Sequence, residues 1–234
     1  MKIKKIMNKI GLDVFKNYRL KNDFKPLENL FYKALHPNFF FIQIGANDGV
    51  SFDPIYKLVT KEKVKGIAIE PVTDIFEKLK KNYKKHQQVK LLNFAIHKDQ
   101  SEMKLYRVNP LIKEYPDWTK GTPSFNKSHH KLSNILEKDI VEETVKCISL
   151  NELVDKYSIQ NIDLLQIDTE GYDSEIIKMI DFKKINPSII SFEHGMKQGI
   201  MTYKQFEECQ ILLLANNYNI IILENDAIAY KCDL

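Results

Sequence analysis

A loop of small residues, Gly45-Ala-Asn-Asp-Gly49, follows a short apolar run that begins at Phe39. A run of this kind closed by a glycine is typical of a strand buried on both faces, and glycine allows the backbone to turn sharply beside a ligand. A second apolar run ends in an acid, Glu70. Strand, glycine turn, helix, strand and acid is the layout of a nucleotide-binding α/β unit, in which the acid hydrogen-bonds a ribose diol.

The loop differs from the dinucleotide fingerprint G-x-G-x-x-G, because Asn47 stands where the middle glycine would admit a pyrophosphate. A cofactor with a ribose and no pyrophosphate fits better, and S-adenosylmethionine (SAM) is such a cofactor. We therefore predict that SAM contacts Glu70 and the loop residues Gly45, Ala46, Asn47, Asp48, Gly49 and Ser51. The alternative is a doubly wound domain whose first turn needs glycine for structural reasons alone.

Ligands in open α/β sheets bind beyond the carboxyl ends of the strands. The later predicted strands end at Ala95-Ile96, at Asp168-Thr-Glu170 and at Glu193-His194. Asn93, Ala95 and Ile96 are candidates for an adenine pocket, although Asn93 equally suits an ordinary strand end. We expect four acids and a histidine at one edge of the sheet. As alternatives, Asp168 or Glu170 could cap the following helix, and His194 could bond the backbone.

Five stretches carry a family resemblance, and they are Ile-Gly-Ala-Asn-Asp-Gly, Ile-Glu-Pro at Glu70-Pro71, Asn-Phe-Ala-Ile, Ile-Asp-Leu-Leu-Gln-Ile-Asp-Thr-Glu-Gly and Ser-Phe-Glu-His. In type and order they resemble the FkbM family of SAM-dependent methyltransferases over about residues 38–230. The chain departs from the family pattern at Asp48 and at residues 169–173, near the expected cofactor and acceptor.

The resemblance implies the class I methyltransferase fold, a Rossmann-like three-layer αβα sandwich with a seven-stranded, mostly parallel sheet and an antiparallel last strand. It also implies methyl transfer, usually to a hydroxyl of a sugar or a natural product, with Pro71 beside the cofactor. N-terminal helices are expected to precede this domain.

Two versions of the chemistry are open, because a hydroxyl acceptor must lose its proton to a base or be activated by a metal. In the first, His194 or Asp168 is the general base. In the second, Asp168 and Glu193 hold a magnesium-type ion, which prefers oxygen ligands. The first is slightly favoured, since histidine ordinarily titrates near neutral pH. An NAD-dependent oxidoreductase and a catalytically inactive scaffold are further alternatives; Asn47 argues against the oxidoreductase, and intact Gly45, Gly49, Glu70 and Asp168 argue against the scaffold.

The 234-residue chain is long enough for one α/β domain, which we place at residues 37–234 after a basic helical segment at 1–36. Residues 1–36 carry nine Lys and Arg against three acids, a surplus of +6 that leaves −2 for the remainder. The main domain is therefore not expected to bind nucleic acid. The basic segment either touches an anionic membrane or partner or is a solvated helix.

Three cysteines, Cys147, Cys209 and Cys232, show no C-x-x-C spacing, which disfavours a disulfide framework or a zinc site and suits the cytoplasm. No apolar run reaches the about 18 residues of a transmembrane helix, and we expect no signal peptide. Residues 109–146 are predicted to be an irregular insertion, a possible substrate lid. Its aromatic residues Tyr115, Trp118 and Phe125 could line an apolar wall or stack on a sugar, and His129 and His130 are expected at the surface.

Overall fold

The structure is a computed structural model that describes residues 12–13 and 25–234. Two residues, Leu12–Asp13, form a strand (β1), so the helix predicted across them is wrong at this point. The rest of the apolar stripe predicted between Ile3 and Phe15 lies outside the described residues. The second predicted N-terminal helix is confirmed as α1, Pro26–Ala34, which buries Leu30 and Phe31.

The remaining elements alternate between strands and helices in the described part of the chain. The strands are β2 (Phe40–Ile44), β3 (Lys65–Ile69), β4 (Val89–Leu92), β5 (Ala95–Ile96), β6 (Glu102–Val108), β7 (Ile140–Ile148), β8 (Leu164–Ile167), β9 (Ile189–Glu193), β10 (Tyr218–Ile222) and β11 (Asp226–Lys231). The helices are α2 (Tyr56–Lys61), α3 (Thr73–Asn82), α4 (Leu150–Lys156), α5 (Asp173–Lys178) and α6 (Tyr203–Ala215).

The main sheet has the strand order β1-β10-β11-β9-β8-β2-β3-β4. Strand β11 runs antiparallel to both of its neighbours, and the pairs among β9, β8, β2, β3 and β4 are parallel. Seven of these strands form the predicted sheet with its antiparallel last strand, and β1 adds two residues at the edge through backbone pairing with β10. The predicted class I methyltransferase architecture is therefore confirmed.

Helices cover both faces of the sheet, which makes the three layers. On one face, Ile42 and Ile167 belong to a core with Leu153, Ile176 and Phe206 from helices α4, α5 and α6. A second core lies on the other face, where side chains from α1, α2 and α3 pack on the strands; it includes Phe31, Phe41, Leu58, Leu79 and Leu164. Alternate strand residues thus face two apolar cores, which explains the nearly continuous apolar runs in the sequence.

A small second sheet, β5-β7-β6, changes two boundaries predicted from the sequence. The third strand, predicted over residues 89–96, ends at Leu92, and Ala95–Ile96 pair instead with β7. Residues 140–146 of the predicted insertion belong to β7, which pairs antiparallel with β6. The irregular part is therefore residues 109–139, and it contains three short 3₁₀ turns, Asp117–Gly121, His129–Ser133 and Glu137–Asp139.

Candidate active site

The glycine loop joins the end of β2 to the end of β3. The backbone N–H groups of Gly45 and Ala46 both donate to the carbonyl of Ile69, at 3.0 and 2.9 Å. Gly45 has φ +81°, and a Cβ placed on it would overlap the carbonyl oxygen of Asp168. Only glycine fits this position, because the end of β8 passes directly against it. The loop is thereby fixed at the point where three strands meet.

Glu70 is buried and holds the loop through its carboxylate. The N–H of Asn47 donates to one oxygen at 3.0 Å, and the N–H of Val72 donates to the other at 2.9 Å. Burial raises the pKa of Glu70 to about 7, although these two hydrogen bonds act in the opposite direction. Asn93 supports the same turn, since its side-chain amide donates to the carbonyls of Glu70 and Pro71, both at 2.8 Å.

A cavity opens at this edge of the sheet, with an empty volume of about 1150 Å³ that includes its mouth. It exceeds the roughly 300–1,000 Å³ of a typical single-ligand pocket. The structure brings nine of the predicted site residues to it: Gly45, Ala46, Asn47, Ser51, Glu70, Pro71, Ala95, Ile96 and Asp168. Phe94, which the sequence analysis did not single out, also lines it beside Ala95 and Ile96.

Five predicted residues do not line the cavity: Asp48, Gly49, Asn93, Glu193 and His194. Asp48 turns back into its own loop, where it accepts from the N–H groups of Val50 and Ser51 at 2.9 and 2.7 Å. Gly49 packs under the loop, and a Cβ there would lie 2.5 Å from the side chain of Leu79. Both residues therefore shape the loop from behind.

Three carboxylates converge at the ends of β8 and β9. One oxygen each from Asp168, Glu170 and Glu193 lies within 4.8 Å of the others. Burial and then the charges of Glu170 and Asp168 raise the pKa of Glu193 to about 9. The pKa of Asp168 is also well above its ordinary value, from the surrounding protein first and then from Glu170 and Asp173. Its side chain is exposed to the cavity, so the crowding of negative charge is the part of that cause we rely on. Such a cluster holds protons or a cation.

Asp173 lies behind this cluster and organises it. The hydroxyl of Thr169 donates to its carboxylate at 2.6 Å, and the N–H of Glu193 donates to it at 3.1 Å. Asp173 has no measurable contact with solvent, and burial raises its pKa to about 6. It therefore ties the end of β8 to the end of β9.

His194 does not face the cavity, contrary to its predicted place beside Asp168. Side chains alternate along a strand, so Glu193 and His194 point to opposite faces. His194 is 2% exposed, its ring centroid lies 4.9 Å from that of Phe206, and its Nδ1 accepts from the N–H of Met196 at 3.3 Å. Burial lowers its pKa. The geometry leaves Asp168 as the member of the predicted base pair that reaches the cavity.

The two histidines of the insertion are buried, so their expected surface position is wrong. His129 Nε2 lies 3.1 Å from a carboxylate oxygen of Glu170, and His130 Nδ1 lies 2.7 Å from the carbonyl of Ile135. The short turn that carries them sends the two rings to different partners. His129 thus links the insertion to the acidic cluster.

The insertion forms one wall of the cavity. Trp118 and Phe125 line it, whereas Tyr115 instead donates its hydroxyl to Asp139 at 2.6 Å. The hydroxyl of Ser124 donates to the carbonyl of Glu170 at 2.7 Å, which fastens this wall to the end of β8. The lid position predicted for the insertion is consistent with this arrangement.

A polar pair within the sheet was missed by the sequence reasoning. Gln43 of β2 and Gln166 of β8 are in register, line the cavity and are 3% and 4% exposed. The Nε2 of Gln43 donates to Asp53 at 2.9 Å, which fixes the orientation of that amide. The Oε1 atoms of both glutamines are buried without a partner. Glutamine inside two otherwise apolar runs was the signal that could have revealed them.

The match to known families can now be set beside this geometry. Residues 43–220 match the methyltransferase FkbM domain. The chain belongs to this family. Its match covers the glycine loop, Glu70 and the acidic cluster, so this FkbM chain carries a methyltransferase domain at the edge where the cavity lies.

Solved structures with similar folds are also methyltransferases by their titles or are involved in RNA processing. A precorrin-6y C5,15-methyltransferase from Geobacter metallireducens matches with a TM-score of 0.45 and 13% identity, over 93% of this chain and 92% of that one. The METTL16 methyltransferase domain matches with a TM-score of 0.45 and 13% identity, over 97% and 76%. A fibrillarin pre-rRNA processing protein from Methanococcus jannaschii matches with a TM-score of 0.40 and 12% identity, over 84% and 69%.

No curated protein matches the chain in sequence. Family membership therefore rests on the domain match over residues 43–220. Within the described residues, no helix has the length and apolar character needed to cross a membrane.

Proposed function

We propose that this FkbM chain is a SAM-dependent O-methyltransferase that acts on a hydroxyl group of a sugar, glycan or natural product. The observation that carries the proposal is one cavity in which a ribose-type acid, Glu70, and the acidic residue Asp168 line opposite parts. A carboxylate beside a nucleoside site can hold the cofactor, and a second at a neighbouring strand end can take the proton of an acceptor.

The residues present fit SAM along its whole length. Glu70 offers carboxylate oxygens to the ribose diol, and Phe94, Ala95 and Ile96 offer apolar contact to the adenine. The unpartnered Oε1 atoms of Gln43 and Gln166 are acceptors that require donors. The ammonium group of the methionine end supplies three such donors.

When bound, SAM supplies a methyl group on a positively charged sulfur, which is the electrophile. The chain's own contribution is to align the acceptor hydroxyl and to remove its proton, and alignment alone can be worth roughly 7–11 kcal/mol in favourable cases. Asp168 is the proton acceptor in this proposal. Its raised pKa brings it closer to the neutral range in which a general base works well.

A magnesium-dependent version uses the same carboxylates. Asp168, Glu170 and Glu193 offer hard oxygen ligands within 4.8 Å of one another. A divalent ion there would lower the pKa of an acceptor hydroxyl and relieve the repulsion among the acids. The two versions share every residue, so a chelator distinguishes them. An activity that is unchanged in EDTA excludes the metal version.

The first experiment is isothermal titration of the full chain with S-adenosylhomocysteine (SAH), with NAD as the comparison ligand. We expect micromolar binding of SAH and none of NAD. Glu70→Ala should abolish binding, whereas Glu77→Ala should not, because Glu77 lies on α3 in an exposed ion pair with Lys80. Transfer of labelled methyl from SAM to a glycan panel, with and without EDTA, then tests the reaction.

Two results would change the proposal. Binding of NAD in place of SAH would favour an oxidoreductase on the same fold. No binding of either ligand would favour an inactive domain that serves as a scaffold. We further propose that the protein acts in the cytoplasm, and fractionation of the cells that make it tests this location.

A further inference from the structure

Phe52 is placed where local structure gives it no support. Its backbone has φ +59°, a left-handed conformation that a bulky side chain rarely adopts. Its ring is 84% exposed, so burial does not offset this cost. The same ring lines the cavity, which places it at the open mouth. Strained and exposed residues of this kind concentrate where a ligand binds.

Trp118, the only tryptophan of the chain, lines the same cavity from the insertion. It is 47% exposed, while the next residue, Thr119, is buried and donates its hydroxyl to the carbonyl of Pro116 at 2.7 Å. The turn is therefore anchored at Thr119 and presents the indole to solvent. Among the described residues, neither Trp118 nor Phe52 contacts another aromatic ring. Both rings are free to receive a partner.

We infer that Phe52 and Trp118 bind the acceptor, and that the acceptor is a sugar ring stacked by its apolar face. This inference rests on the proposed methyltransferase function and names the substrate class of the same site. Aromatic faces carry partial negative charge, which attracts the C–H groups on one face of a sugar. Asp168 and Glu170, in the same cavity, accept hydrogen bonds from its hydroxyls. A phenol has negative ring faces and few hydroxyl groups, so it matches this pairing less well.

The test is a glycan array probed with labelled, SAH-saturated full chain. Four proteins are compared: the wild type, Phe52→Asn, Trp118→Ala and Tyr203→Ala. Tyr203 is the matched control, because it is a 73% exposed aromatic residue that does not line the cavity. Titration of SAH into each variant runs in parallel. In solution, the fluorescence of Trp118 is followed with the best glycan of the array and with catechol.

We expect the wild type and Tyr203→Ala to bind the same glycans. Phe52→Asn and Trp118→Ala should each weaken that binding about three- to tenfold, as the loss of one stacking contact predicts, with SAH affinity unchanged. The inference is overturned if SAH-saturated wild type binds no glycan, if both variants keep full glycan affinity, or if only catechol changes the fluorescence. Failure of the wild type to bind SAH would instead refute the proposed function.

Discussion

Glu70 allows a prediction in which the pH dependence of stability has a definite sign. Its pKa is raised from 4.5 to about 7 because the side chain is buried, and the residue is 3% exposed. A carboxyl with a raised pKa in the folded chain keeps its proton longer when folded. Its stabilising contribution is therefore fully present below pH 4.5 and is lost as the pH rises through about 7.

The magnitude follows from the two pKa values. Each pKa unit corresponds to about 1.4 kcal/mol, so a change from 4.5 to about 7 makes the loss about 3 kcal/mol. Glu70→Gln cannot ionise and should not show this loss. Its amide leaves one of the two N–H groups, from Asn47 or Val72, without an acceptor. That cost is nearly independent of pH, so it shifts the curve of the variant without changing its slope.

The assay is urea unfolding of wild type and Glu70→Gln between pH 4.5 and 8.5, without ligand. Other carboxyls contribute to both curves, and the difference between the proteins isolates Glu70. We expect this difference in unfolding free energy to move by about 3 kcal/mol in favour of the variant as the pH rises. Curves that stay parallel over the whole range would refute a protonated Glu70 in the folded chain.

Three further predictions test the loop, the polar pair and the strained aromatic. Gly45→Ala should destabilise the fold by about 3 kcal/mol, because a Cβ would overlap a backbone carbonyl that no side-chain movement can relieve; a melting temperature equal to that of wild type would contradict this. Gln43→Leu and Gln166→Leu should weaken SAH binding about tenfold or more, the value of a hydrogen bond to a charged group, and should leave binding of 5′-methylthioadenosine, which lacks the amino-acid end, unchanged. Equal losses for both ligands in titration would mean that the glutamines support the fold only. Phe52→Asn should raise the unfolding free energy by about 0.5–1 kcal/mol, since asparagine tolerates a left-handed backbone; urea unfolding that shows a loss of stability would contradict the strain.

The strand ends were predictable because parallel strands must meet at one edge. Gly45, Glu70 and Asp168 therefore follow from the sequence, since each closes an apolar run of strand length. His194 was misplaced because the prediction counted residues at a strand end without applying the alternation of side chains. Glu193 and His194 are neighbours in sequence, and only Glu193 shares a face with the acidic cluster.

The wall formed by the insertion could not be predicted in the same way. Its position depends on contacts between distant residues, such as the bond from Ser124 to Glu170 across 46 positions. The burial of His129 depends on the same approach. No periodicity within residues 109–139 records these pairings, whereas the regular alternation of β6 and β7 does record theirs. Local patterns thus predict the sheet edge but not what closes over it.

Backbone strain separates the site from the rest of the fold. Seven non-glycine residues in the described part of the chain have positive φ angles. Lys63, Ser158 and Asn217 each directly follow the C-cap residue of a helix, and Asn134 is itself the C-cap of a short turn. Left-handed residues are the ordinary way to end a helix, so these four need no other cause.

The remaining three strained residues, Asn47, Phe52 and Glu170, all line the cavity. None of them ends a helix, and each serves a different part of the proposed reaction. Asn47 gives its N–H to Glu70, Phe52 presents its ring at the mouth, and Glu170 joins the acidic cluster. Strain that termination does not explain is thus confined to one cavity, as expected where selection for binding has overridden local backbone preference.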